Sequence, residues 1–192
     1  MLRPLISILL IVSCSFPPKQ NCLEELNKGI DQDYALLLTE LTNQFESLVK
    51  NMEGNNYAEQ SRNFLKSIAS GNEKEFYSQI PKDNDLSKRM LKLDTMIFQY
   101  NYYKSEDDSP KRYGSNKPES AFIQALENLE DCNDLILEYI KTIQESGEIG
   151  PVLTAEGAIA NFSDEDLNDP IIKRILAVEI LLPYLSNIPD GP

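Results

Sequence analysis

The sequence predicts an all-α protein, a single-domain bundle of five or six helices. Three observations carry this. Apolar residues recur at steps of three and four through most of the chain, no run alternates with a period of two, and the glycine-containing turns fall between helical stretches. Apolar residues make up 41% of the chain and charged residues 26%, a balance that argues against disorder. With residues 1–13 set aside as a leader, residues 21–192 make one domain with enough chain to bury a core.

Ser15 to Gln20, with Pro17-Pro18, reads as an extended tether. Asn21 is placed as an N-cap with Glu24 as its capping-box partner. Leu26, Ile30, Tyr34, Leu37, Leu41, Phe45, Leu48 and Met52 then predict one long helix that ends at Gly54-Asn55-Asn56. Two shorter helices follow, over Tyr57 to Ala69 and Glu73 to Ile80, separated by Gly71 and closed by Pro81. Asp83 or Asp85 caps a fourth helix, with Leu86, Met90, Leu93, Ile97 and Tyr100 on one side. Leu91, Phe98 and Tyr102 widen that stripe, which predicts packing on two sides. Lys104 to Lys117 reads as a surface loop. A fifth helix is expected from Pro118 to Ser146, its apolar face running from Phe122 to Ile143 through Cys132. Gly150 to Phe162 reads as irregular, with one helical turn at most. Asp169-Pro170 is a strong helix start, and Ile171 to Ile188 is apolar nearly all round, which places that helix in the centre.

The first fourteen residues set an address. Arg3 supplies a positive start, Leu5 to Val12 a short apolar run, and Ser13-Cys14 a small-residue end, the plan of a signal peptide over residues 1–13. Eight helical residues rise only about 12 Å against ~30 Å of hydrocarbon, so this run does not span a bilayer. Ile11-Val12-Ser13-Cys14 resembles the lipobox of bacterial lipoproteins. The resemblance implies cleavage before Cys14, acylation of that cysteine, and a membrane anchor in the bacterial cell envelope, at the periplasmic face or the cell surface. Residues 14–20 then become the lipidated cysteine and its tether, and two lipid signals suffice for stable attachment. The resemblance covers the leader only. Plain secretion is the alternative, because Ser13 and Ser15 also offer an ordinary signal peptidase a site after Ser15.

The net charge is −13, which disfavours nucleic acid as a partner. It is unevenly spread: residues 119–172 carry 13 acidic residues and the single base Lys141. On the expected fifth helix Glu127, Asp131, Asp134 and Glu138 fall at steps of four, three and four, so they share one exposed face. That face is either an electrostatic footprint for a basic protein partner or a solubilising surface.

The chain has no histidine, which removes the usual general base, the common zinc ligand and the His-activated nucleophiles. Asp164 begins a calcium-loop-like run, but Asp169 stands where glycine is required and Ile175 where glutamate is, so capping explains these acids better. Cys22 and Cys132 are left either to pair in an oxidising compartment or to stay free thiols. Tyr100, Tyr102 and Tyr103 with Phe98 form an aromatic cluster that packs the core or lines a pocket. The expectation is a non-enzymatic, lipid-anchored envelope protein that acts by protein binding, of an immunity or inhibitor type. The alternative is a small-ligand-binding or envelope-assembly lipoprotein with a pocket between helices. No catalytic residue, cofactor or metal ligand is assigned.

Overall fold

The computed structural model describes residues 19–71, 84–104, 110–117, 119–129, 132–147 and 149–185. The leader, Cys14, Asp131 and the expected helix at Glu73–Ile80 lie outside the described residues. The fold is all-α, with nine helices and one small hairpin among the described residues. In order these are α1 (Lys19–Lys28), α2 (Gln32–Lys50), α3 (Tyr57–Ala69), α4 (Asn84–Ile97), β1 (Phe98–Lys104), β2 (Pro110–Asn116), α5 (Ala121–Glu127), α6 (Asp134–Ser146), α7 (Pro151–Asn161), α8 (Asp164–Asn168) and α9. The last is continuous, with α-helical Pro170–Leu176, π-helical Ala177–Leu181 and α-helical Leu182–Leu185.

Nine helices stand where five or six were expected, and each difference has a local cause. The long first helix is broken at Gly29, and α1 begins at Lys19, inside the expected tether. A Cβ on Gly29 would lie 3.2 Å from the Ala125 Cβ, so the α1–α2 corner closes onto α5 at glycine. Asp31 then restarts the chain as N-cap of α2, accepting from the Asp33 and Tyr34 amides at 3.0 and 3.4 Å. The expected fifth helix is two helices. Asn128 ends α5, its side chain donating to the Gln124 carbonyl, and Asn133 caps α6 by accepting from the Leu135 amide at 3.0 Å. Asparagine competes for backbone groups at both positions. The stretch read as irregular is the helix α7, which starts with Pro151 at its first turn.

Phe98 to Lys104 is a strand paired antiparallel with Pro110–Asn116, not the end of a helix followed by a loop. Its aromatic residues favour a pleated surface. The hairpin is tied to α4 where the Lys117 amide donates to the Ile97 carbonyl at 2.8 Å.

One core joins the helices. Ala155 and Ala158 bury their small side chains where α7 lies against α3. The centre is α9, as its sequence predicts: every residue from Ile171 to Leu182 but Lys173 is buried. Two ionisable side chains lie inside it, Arg174 and Glu179. Lys173, at its edge, pairs with Glu46 of α2 at 3.0 Å and sits 4.1 Å from the Tyr57 ring centroid of α3.

Candidate functional site

An apolar cleft of about 230 Å³ opens between α6 and α7, above the first turns of α9. Its α6 wall presents Leu135, Glu138 and Tyr139, its α7 wall Leu153 and Gly157, and its floor Ile172. Leu153 is 62% exposed, although the cleft beside it is apolar. Thr154 also lines this wall, and its Oγ1 is buried without a hydrogen-bond partner among the described residues. Gly157 is helical, and a Cβ there would meet nothing within 4 Å. Neither backbone geometry nor internal packing therefore requires glycine.

Beneath the cleft, the Tyr139 hydroxyl donates to Glu179 Oε1 at 2.5 Å, joining α6 to the π-helical turn of α9. Short π-helical segments often accompany functional sites. Burial pushes the Tyr139 hydroxyl well above its ordinary pKa, and the Glu179 charge and hydrogen bond add to this.

The acidic residues expected on one helix face fall on two helices where the structure describes them. Asp134 and Glu138 are exposed one turn apart on α6, followed by Glu145, which pairs with Lys141 at 4.0 Å. Glu127 belongs to α5, where it accepts from Gln144 of α6 at 3.1 Å. Gln144 is on the flank of α6 opposite Leu135 and Tyr139, so Glu127 and the cleft face different ways. Asp131 lies outside the described residues. The tyrosines read as a pocket lining are on β1, with Tyr100 opposite Gly114 and Tyr102 opposite Arg112, and are not among the residues that line the cleft.

The acids after α7 act as caps. Ser163 and Asp166 form a capping box, and Asp169 accepts from the Ile171 amide at 2.8 Å and from Asn133 Nδ2 at 3.3 Å. Arg62 of α3 holds this corner through the Phe162 carbonyl and Asp164, both at 2.9 Å. Among the described residues no group of three or more acidic or cysteine side chains is arranged to hold a metal ion, and no helix is long and apolar enough to cross a membrane.

Cys22 and Cys132 form a disulfide, with Cα atoms 6.3 Å apart, that ties α1 to the corner between α5 and α6. The chain matches no protein-family model, no curated protein and no solved structure.

Sequence reasoning missed Arg174, which is 2% exposed. Its guanidinium donates to Asn27 Oδ1 of α1 at 2.5 Å and Thr39 Oγ1 of α2 at 3.0 Å, and burial lowers its pKa to about 10. The only signal was a basic pair, Lys173-Arg174, inside a helix that is mostly apolar. The cleft had no signal beyond the alanines and glycine of α7, which resemble a loop in composition.

Proposed function

We propose that the chain is a lipid-anchored protein of the bacterial envelope that acts by binding a basic protein, in the manner of an immunity or inhibitor protein. The observation that carries this reading is the concentration of charge. Residues 119–172 hold 13 acidic residues and one lysine, and Glu127, Asp134, Glu138 and Glu145 are exposed on α5 and α6. Complementary potential of this kind accelerates encounter and rejects like-charged partners. The lipobox-like Ile11–Cys14 supports the anchor. The Cys22–Cys132 bond supports an oxidising compartment outside the cytosol.

The test is cross-linking in intact cells, followed by isolation through the anchored protein. Replacing Glu127, Asp131, Asp134 and Glu138 by lysine should abolish the cross-linked partner, and salt should weaken capture by the unaltered protein. Capture indifferent to all four reversals would remove the acidic surface from the mechanism.

A second reading, a small-ligand-binding or envelope-assembly lipoprotein, draws on the α6–α7 cleft. At about 230 Å³ it is smaller than the roughly 300–1,000 Å³ usual for small-molecule sites.

A further inference from the structure

The α6–α7 cleft is built as though for an occupant that the described residues do not supply. Two features are independent of one another. Leu153 remains 62% exposed at the mouth of an apolar cleft. Gly157 weakens its helix relative to alanine while the space above it is empty.

We infer that the cleft receives a single bulky apolar side chain from a basic segment of a partner protein. This rests on the protein-binding reading above and names the place where the partner is anchored. The volume suits one side chain: a cavity of about 150 Å³ lined by Leu, Ile and Phe already takes up benzene. Charge selects the flanking residues. Glu138 lines the cleft, and Asp134 and Glu145 are exposed along the same helix. A Lys or Arg next to the apolar anchor lies against Glu138. Binding anchors of this type, an aromatic or aliphatic side chain in a pocket with a polar rim, carry most of an interface's energy.

The probe is a phage-displayed random peptide library, selected on the mature protein as the cell processes it. Selected sequences should pair a Leu, Ile, Met or Phe with neighbouring Lys or Arg. Synthetic copies should bind Gly157→Leu, which fills the cleft, and Leu153→Ser, which acts at an exposed position, at least about tenfold more weakly than the unaltered protein. Glu24→Lys, a charge reversal at an exposed position on α1 that neither lines the cleft nor belongs to the acidic surface, should leave them unaffected. Melting curves of each variant establish that it is folded, and Leu153→Ser keeps the test decisive where Gly157→Leu does not fold. Purely basic peptides that bind both cleft variants normally, but lose affinity on Asp134→Lys and Glu138→Lys, would overturn the cleft and leave the acidic-surface reading standing. A library yielding no sequence, or only uncharged apolar ones, would overturn the inference itself.

Discussion

Opening the Cys22–Cys132 bond is the perturbation with the largest expected effect on stability. The two cysteines are 110 residues apart in sequence. In the chain-entropy description, a cross-link closing a loop of about this length stabilises the fold by about 4.7 kcal/mol, chiefly by restricting the unfolded chain. That is a large share of the 5–15 kcal/mol typical of a whole domain. Cys22 is buried, so replacing it adds a packing change to the loss of the bond. Cys132 is only partly buried, and Cys132→Ser therefore isolates the cross-link. For a domain of this size 1 kcal/mol corresponds to about 2–4 °C in Tm, so the melting temperature should fall by roughly 10–19 °C. The assay is thermal unfolding followed by circular dichroism, for the unaltered protein and Cys132→Ser, each with and without reductant. Reductant should lower the Tm of the first and leave the second unchanged. Equal melting of all four samples would show that α1 and the α5–α6 corner are held by packing alone, and would remove the support that the bond lends to an exported protein.

Gly157→Ala should raise Tm by about 1–4 °C, because alanine is better in a helix by about 0.5–1 kcal/mol and its Cβ enters empty space; a lower Tm would mean that α7 needs the glycine. Tyr139→Phe removes a hydrogen bond to a buried carboxylate and should cost about 1.5–3 kcal/mol in urea unfolding, with no loss refuting a structural role for the contact. Burial raises the Tyr34 and Tyr139 pKa values above 10, so past pH 10 the unfolded chain loses these protons while the fold keeps them. Stability should then fall with rising pH, by at most about 1.4 kcal/mol per pH unit for each tyrosine. Arg174, lowered to about 10 by burial, acts in the opposite direction above that pH and offsets one tyrosine. Part of the tyrosinate absorbance should therefore rise cooperatively with the loss of helix, and complete titration of all nine tyrosines while the helices persist would refute the burial of these hydroxyls. Cys14→Ala should abolish incorporation of a labelled fatty acid and release the protein from membranes; labelling that persists in the variant would place the lipid elsewhere.

The fold class was legible because burial leaves a period in the sequence. Tyr34, Leu41, Phe45 and Leu48 recur at helical spacing and are all buried on α2. The boundaries were less legible. Leu26, Ile30 and Tyr34 keep the same spacing across the break at Gly29–Asp31, since both arms pack into one core and the rhythm continues through the corner. Of the candidate site, Asp134 and Glu138 are exposed on one helix as their spacing implied, but Glu127 belongs to another element because Asn128 and Asn133 end one helix and start the next. The sequence places the tyrosines at 100–103 at the end of a helix, and the pairing with Pro110–Asn116 makes that stretch a strand instead.

What the sequence by itself determined is whatever depends on composition and near neighbours. That covers the helical class, the apolar central segment after Asp169-Pro170, the excess of acid in residues 119–172, and the chemistries closed to a chain without histidine. Only the tertiary structure decided which distant surfaces meet. It brought Cys22 to Cys132, Tyr139 to Glu179, and Arg174 to Asn27 and Thr39, and it left a cleft where α6 and α7 part above α9. The reason is one of range. Periodicity and capping act over a few residues and record that a side chain is buried, whereas the partner that buries it lies 40 residues away at Tyr139–Glu179 and 147 at Asn27–Arg174.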